Sequence, residues 1–199
     1  MLEYLSNMQD EPTADLNQLI AQRVRDLRLA RALSLEALAT QSGVSRSMIS
    51  LIERGESSPT AVVLEKLATG LGATLASLFD RPRAQPSPVA RAGEQPSWRD
   101  PQSGYVRRNV SPAGYPSPMR IVEVSFPPKA RVAYETGARE VPVHQQVWVL
   151  EGAIDVTVGT TRHALKAGDC LAMKLDEPTL FHNPGRVAAR YAVIIVTAP

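Results

Sequence analysis

The residue pattern of this chain changes near its middle, and this change is its strongest constraint on folding. Up to about Asp80, apolar residues recur at helical spacing among many Leu, Ala and Ser; beyond Trp98, short runs alternate apolar and polar residues among Val, Tyr, Gly and Pro. The first pattern predicts amphipathic helices and the second predicts strands. Because 199 residues are enough for two small domains, we expect a multi-domain α and β protein.

The boundaries of the expected domains follow from local composition. Residues 1–14 are polar and acidic and contain Pro12, which predicts a loosely ordered tail. Residues 15–80 form the predicted helical domain, and residues 98–199 form the predicted β domain. Between them, residues 81–97 are rich in proline, arginine and serine, which predicts a semi-extended linker.

Five helices are predicted in the first domain from apolar spacing and end signals. They start near residues 15, 35, 46, 61 and 74, and the last is only a short turn. Ser34, Ser45 and Thr60 stand where a hydroxyl can cap the start of a helix. Gly43 stands where the second helix should stop, because glycine accepts the left-handed conformation that a tight exit requires.

Seven strands are predicted in the second domain. They cover residues 104–110, 119–126, 143–150, 153–158, 162–165, 170–174 and 189–197. Short strands at fairly even spacing are typical of a sandwich or small barrel. Residues 89–91 belong either to the linker or to an additional edge strand.

Charge and cysteine content limit the classes of protein. The formal net charge is only +2, so any affinity for DNA must come from locally placed cations. The single cysteine, Cys170, cannot form an intramolecular disulfide, which fits the reducing cytoplasm. The N-terminus lacks a secretory signal and no apolar run has membrane-spanning length, so we expect a cytoplasmic protein with no membrane role.

Two short helices joined by a glycine-containing turn form the pattern of a helix-turn-helix. They are LEALATQSG and VSRSMISLIERG, and in this motif the second helix enters the DNA major groove. The spacing predicts an inward face with Val44, Met48, Ile49 and Ile52, and an opposite face with Arg46, Ser47 and Ser50. Arginine and serine both bond base edges. A helical bundle that binds another protein is the alternative.

Residues 19–79 resemble the helix-turn-helix domain of the XRE family, which includes the lambdoid phage repressors. The resemblance depends on SLEALA before the turn, GVSRSMIS at it, IERGESSPT after it, and LxKLAxGL in the next helix. It implies a five-helix lambda-repressor-like domain in which Ser45, Arg46, Ser47 and Ser50 face DNA. Leu51 is expected either to meet a thymine methyl group or to pack against the domain.

Contacts to DNA phosphates are predicted for three further side chains. The candidates are Arg23 on the first helix, Gln41 at the end of the second and Arg54 beyond the third. Glu53 is expected to pair with a nearby arginine. Because one such domain contacts only a few base pairs, we expect a homodimer on a palindromic double-stranded operator.

Residues 144–185 resemble the two cupin motifs and the short turn that joins them. The marks are VLEG at 149–152, AGD at 167–169 and NPG at 183–185. This resemblance implies a C-terminal all-β cupin barrel, a double-stranded β-helix or jelly-roll. The order of the two domains matches XRE-cupin regulators.

The resemblance to cupins fails at the metal ligands. Most enzymatic cupins hold a divalent metal with histidines and a glutamate, and the aligned positions here are Arg139, Val141, Gln145 and Thr179. His144 and His182 are nearby but out of register, since adjacent strand residues face opposite ways. A strand bulge is the alternative that would bring one of them into the barrel. We therefore expect no metal and no cofactor.

The predicted barrel interior is mostly apolar with a few neutral hydrogen-bonding groups. This is typical of a small-molecule site and equally of a packed core. The expected lining is Tyr134, Val143, Gln145, Val147, Met173, Thr179 and Phe181. No catalytic residue is predicted, because no nucleophile motif or paired carboxylate is present.

The expected function is therefore that of a DNA-binding transcriptional regulator. We expect a repressor that binds its operator as a homodimer, with a metal-free barrel that supplies dimer contacts and senses a small-molecule effector. The alternatives are a metal-dependent cupin oxygenase or isomerase with an attached DNA-binding domain, and an antitoxin-like protein-binding module.

Overall fold

The computed structural model describes residues 11–79, 87–135 and 142–197, and within them helices precede strands. The helices are α1 (Glu11–Ala30), α2 (Leu35–Ser42), α3 (Arg46–Glu53) and α4 (Ala61–Gly70), followed by 3₁₀ helices at Leu75–Phe79 and Ala92–Glu94. The strands are β1 (Ser97–Arg99), β2 (Val106–Asn109), β3 (Met119–Phe126), β4 (Arg131–Tyr134), β5 (Val143–Glu151), β6 (Ala153–Val158), β7 (Thr161–Lys166), β8 (Cys170–Lys174), β9 (Thr179–His182) and β10 (Ala189–Thr197). The predicted fold class is confirmed.

The helical part differs from the prediction at both ends. α1 begins at Glu11, so residues 11–14 are helical although the sequence pattern assigns them to the tail. Pro12 lies in the first turn, where the N–H that proline lacks would have no intrahelical partner. Residues 1–10 of the predicted tail lie outside the described residues. The fifth predicted helix is the 3₁₀ helix Leu75–Phe79.

Side chains that were predicted to cap helices do so. The hydroxyls of Ser34, Ser45 and Thr60 accept hydrogen bonds from backbone N–H groups in the first turns of α2, α3 and α4. Gly43 ends α2 with φ of 68°, the left-handed conformation that the tight turn into α3 requires. None of the helices in the described residues is long and apolar enough to cross a bilayer.

The strands form two antiparallel sheets whose inner faces enclose a common apolar core. One sheet has the order β1-β2-β3-β10-β5-β8 and the other β4-β9-β6-β7. Along β5, the odd-numbered residues from Val143 to Val149 are buried and His144, Gln146 and Trp148 are exposed. This alternation directs one face of β5 into the core and the other face to the outside.

Most strands agree with the sequence prediction, but three were missed. β3, β6, β8 and β10 have the predicted bounds. The missed strands, β1, β4 and β9, contain three or four residues each, which is too short for an alternating pattern to stand out. Residues 89–91 form no strand.

The two parts of the chain pack directly against each other. The Asp100 carboxylate, which belongs to the barrel, accepts a hydrogen bond from the Ala61 N–H at 2.8 Å. It thus supplies a partner for one of the backbone N–H groups at the start of α4. The Asn109 amide donates to the Ala76 carbonyl at 3.3 Å, and the rings of Phe79 and Trp98 are 5.7 Å apart. Displacement of the helices relative to the barrel must therefore break buried contacts.

Candidate nucleic-acid interface and interdomain cavity

Helix α3 is held against the domain by one apolar face. Val44, Ile49 and Ile52 are buried as predicted, but Met48 is 36% exposed, so its predicted inward orientation is wrong. Met48 precedes Ile49 by one residue, a rotation of about 100° around the helix, which leaves it at the edge of the buried face. Its sulfur accepts a hydrogen bond from the Ser57 hydroxyl at 3.8 Å.

The opposite face of α3 presents short polar groups and one long cation. Arg46 and Ser47 are exposed and Ser50 is half-buried; with Leu35 of α2 they line a shallow depression. The Ser45 hydroxyl caps the helix through the Met48 N–H at 3.2 Å and lies 3.2 Å from the Ser47 hydroxyl. The structure thus brings the four serine and arginine side chains onto one surface.

Arg54 and Leu51 lie at the C-terminal end of this helix. The Arg54 guanidinium donates to the Ser50 hydroxyl and, at 2.7 Å, to the Glu56 carboxylate. Hydrogen bonding within this exposed pair raises the pKa of Arg54 and lowers the pKa of Glu56. Leu51 is half-buried, an environment compatible with either predicted role.

The other two candidate phosphate contacts are separate from the α3 surface. Arg23 is half-buried and its Nε donates to the Ser77 carbonyl at 3.3 Å, so it joins α1 to the 3₁₀ helix Leu75–Phe79. Gln41 is exposed and lines a wide cleft between the helices and the barrel, together with Arg31 and Thr69.

Glu53 forms the ion pair that the sequence predicted. Its carboxylate accepts two bonds from Arg28, at 2.6 Å to Nε and 2.8 Å to Nη2. Arg28 also donates to the Leu33 carbonyl at 2.8 Å. The hydrogen bond to Glu53 raises the pKa of Arg28. This nearly buried bidentate pair fixes the end of α3 against α1.

A cavity of about 60 Å³ lies between the helices and the barrel. Of the seven residues predicted to line a pocket, Tyr134, Gln145, Thr179 and Phe181 line this cavity. The other three do not: Val147 and Met173 are buried elsewhere in the barrel, and Val143 lines the neighbouring cleft. The difference arises because the cavity lies at the helical end of the barrel, which strand alternation cannot reveal.

Sequence reasoning missed Arg107, which lines the same cavity. Arg107 is 6% exposed, and its Nε and Nη2 have no hydrogen-bond partner among the described residues. Its guanidinium lies 5.8 Å from the centre of the Phe79 ring. A signal existed in the sequence, because two adjacent arginines in a strand, Arg107 and Arg108, must point to opposite faces.

The cavity lining does not fit a divalent metal. Gln145 and Thr179, which occupy two of the aligned ligand positions, present a neutral amide and a hydroxyl, and the Arg107 cation shares their cavity. The other two positions, Arg139 and Val141, lie outside the described residues. His144 is exposed, and His182 lies with its Nδ1 3.5 Å from the Asp155 carboxylate. The described residues contain no cluster of three His, Cys, Asp or Glu side chains suited to a metal.

Comparisons with known proteins match the helical part of the chain to a family and most of the chain to a known regulator. The helix-turn-helix family HTH_3 matches residues 24–78. The chain is 28% identical over 182 residues to the HTH-type transcriptional regulator SutR of Escherichia coli, an alignment covering 91% of this chain and 96% of SutR. It is 34% identical over 58 residues to the uncharacterized HTH-type transcriptional regulator y4dJ of Sinorhizobium fredii, covering 29% of this chain and 75% of that protein.

A solved structure extends the similarity over both domains. The crystal structure of an HTH_3 family transcriptional regulator from Vibrio cholerae matches with a TM-score of 0.75 and 26% identity, covering 94% of this chain and 99% of that one. The shared structure therefore includes the barrel as well as the helices. Together with the geometry of α2, its turn and α3, these matches show that the chain belongs to the HTH_3, or XRE-type, family of DNA-binding transcriptional regulators.

Proposed function

We propose that the protein binds a specific operator as a homodimer in the cytoplasm, placing α3 in the major groove of each half-site. The single observation that carries this proposal is the two-sided character of α3. Val44, Ile49 and Ile52 fix one side in the core, so the side with Arg46, Ser47 and Ser50 is held outward in a defined orientation. Repression through occupancy of the operator stays a prediction from the family resemblance.

Arg46 is the side chain best suited to choose among base sequences. Its guanidinium is exposed and has no hydrogen-bond partner within the described part of the chain, so it can bond a guanine without losing an internal contact. A bidentate arginine contact discriminates against a wrong base by about 1–3 kcal/mol. Ser45, Ser47 and Ser50 supply shorter donors and acceptors on the same surface.

Contacts to phosphate are proposed for Arg54 and Gln41, both of which are exposed. Arg54 already pairs with Glu56, but exposed ion pairs are weak, so a phosphate can replace the carboxylate at little cost. Arg23 is held by Ser77, and we propose that its main contribution is to position α1 rather than to bind phosphate directly.

The proposed dimer forms through the outer face of the large sheet. Register places apolar side chains in adjacent rows there: Met119 beside Val196, and Ile121 beside Ile194. Trp148 lies next to Ala192 on the neighbouring strand and is 48% exposed. Charged pairs such as Arg190 with Glu123 flank these rows. An apolar centre with a polar rim is the usual anatomy of a protein interface, and a second copy is the partner that a palindromic operator requires.

The barrel is proposed to sense a ligand rather than to catalyse a reaction. The relatives that match over both domains are transcriptional regulators, and the cavity is walled by parts of both domains, including Glu65 and Leu75 from the helices and Gln145 from the barrel. A ligand that contacts both can favour one placement of the DNA-binding domains over another.

Replacing Arg46 with alanine tests the proposed base contact. An operator is first selected from a random-duplex pool with the wild-type protein, and affinities are then measured by fluorescence anisotropy at one salt concentration. We expect Arg46→Ala to weaken operator binding by about 30-fold or more, because one bidentate base contact worth about 1–3 kcal/mol is lost in each of the two half-sites. Binding to scrambled duplex should change far less, because phosphates carry it.

The control is Arg131→Ala, which removes an exposed arginine from β4 of the barrel and should leave both affinities unchanged. Equal losses on operator and scrambled DNA for Arg46→Ala would show that Arg46 contacts phosphate alone. If the wild-type protein enriches no duplex from the pool, the proposed function is wrong.

A further inference from the structure

Part of the buried Arg107 guanidinium has no hydrogen-bond partner among the described residues. Two of its nitrogens, Nε and Nη2, are fully buried and make no hydrogen bond there. An unpaired buried charge is costly, and native structures place such groups where a ligand, ion or water completes them. The Phe79 ring below it supplies a weak cation–π contact, which does not satisfy the N–H donors.

Arg107 reaches its position through the register of the sheet. It lies on β2 opposite Trp98 of β1 and Val124 of β3, and its side chain lines the cavity between the helices and the barrel. Arg108, the next residue, points to the outer face and pairs with Glu123 at 3.0 Å. The fold therefore gives Arg108 an ion-pair partner and directs the Arg107 side chain into the cavity.

The rest of the cavity suits a small anion with an apolar body. Val124, Val132 and Ile195 provide aliphatic wall, and Gln145 and Thr179 add polar groups. The hydroxyls of Tyr105 and Tyr134 lie 3.2 Å apart. Burial raises the pKa of Tyr105 to about 12 and that of Tyr134 well above its ordinary value, so both stay protonated at neutral pH; one donates to the other, and the second can donate to a ligand.

Glu65 is the acidic residue on the cavity wall and belongs to α4, on the helical side. It already has an interaction partner. Arg107, Gln145 and Thr179 all belong to strands, so the favourable place for an anion is the barrel side of the cavity. The volume of about 60 Å³ corresponds to only a few water-sized positions, which limits the occupant to a small molecule.

We propose that the effector of this regulator is a small carboxylate whose carboxylate group is bound by the Arg107 guanidinium and whose short apolar part lies against the aliphatic wall. A planar guanidinium matches a carboxylate with two parallel hydrogen bonds. The proposal rests on the effector-sensing part of the proposed function. Arg107 also contacts Phe79, in the 3₁₀ helix that follows α4. Binding of the carboxylate to Arg107 therefore changes a contact between the barrel and the DNA-binding domain.

The test uses the full-length protein and a panel of acetate, propionate, butyrate, lactate and alanine at constant ionic strength. Binding is measured by calorimetry and by the shift in melting temperature, with propionamide as the uncharged counterpart of propionate. We expect at least one carboxylate to bind the wild-type protein while propionamide does not. Arg107→Met should weaken that binding by about 10-fold or more, the loss of a charged hydrogen bond.

Two further variants separate loss of the site from loss of the fold. Arg107→Lys keeps the charge without the planar fork and should bind the carboxylate with intermediate affinity. Arg131→Met removes an exposed arginine outside the cavity and should bind as the wild type does. Without ligand, Arg107→Met should melt no lower than the wild type, because the substitution removes two buried N–H donors that have no hydrogen-bond partner among the described residues.

The proposal is overturned if the wild type binds none of these carboxylates, if propionamide binds as tightly as propionate, or if Arg107→Met retains wild-type affinity. Operator binding of the ligand-free protein is measured in parallel. A protein that prefers its operator but ignores every carboxylate contradicts only this inference, whereas a protein without any operator preference contradicts the proposed function itself.

Discussion

Replacing Trp148 with arginine is expected to convert the proposed dimer into a monomer and to weaken operator binding by about 100-fold or more, because two linked sites gain that much over one. Trp148 stands on the outer face of the large sheet beside Ala192, with Ile194 and Val196 further along the same strand. A guanidinium placed on this surface would have to be desolvated against the apolar side chains of the second copy. Sedimentation velocity measures the association, and anisotropy measures the affinity for DNA.

The fold itself should survive this substitution, since nearly half of the Trp148 side chain is already exposed in the single chain. Far-UV circular dichroism and the melting curve of the monomer check that expectation. Val187→Arg is the matched control, because Val187 is an exposed apolar residue in the turn before β10 and outside the sheet face. If Trp148→Arg stays dimeric, the sheet face is not the dimer interface.

Replacing Glu53 with alanine is expected to lower the free energy of unfolding by about 3 kcal/mol, the loss seen when one partner of a buried ion pair is removed. The carboxylate holds Arg28 through two short bonds, and both side chains are nearly buried. Without Glu53, the Arg28 charge remains in a poorly hydrated site between α1 and α3. Urea denaturation followed at the helical circular dichroism signal measures the change.

Glu56→Ala provides the comparison, because Glu56 pairs with Arg54 at a similar distance but on the exposed surface. We expect that substitution to change the free energy of unfolding by no more than about 0.5 kcal/mol, as for other exposed pairs. A loss of similar small size for Glu53→Ala would show that the Arg28 pair is hydrated in solution and does not anchor α3.

The sequence was sufficient where local signals act over a few residues. Ser34, Ser45 and Thr60 were predicted as caps and are caps, because a hydroxyl before an apolar helical pattern satisfies N–H groups within its own first turn. The longer strands were predicted with their bounds or to within one residue of them, because alternation over five or more residues is visible in the chain. Met48 was placed wrongly, since spacing alone cannot define where the edge of a buried face lies.

The candidate site was likewise predicted only in part from the sequence. Arg46, Ser47 and Ser50 could be placed on one surface from helical spacing, and the structure keeps them together. The cavity lining could not be predicted well: Val143, Val147 and Met173 were expected there and are absent, while Arg107 and Glu65 are present. Those residues meet only because the helices pack on one end of the barrel.

By itself, the sequence determined the order of an α domain and a β domain, the ends of the helices and the polar surface of α3. Each of these features depends on residues that are close to one another in the sequence. Only the tertiary structure decided that Asp100 of the barrel caps α4, that Arg28 reaches Glu53 and that Arg107 is buried with two nitrogens that no described residue bonds. Those contacts join residues far apart in the chain, and their energies depend on how completely packing excludes water from charged groups.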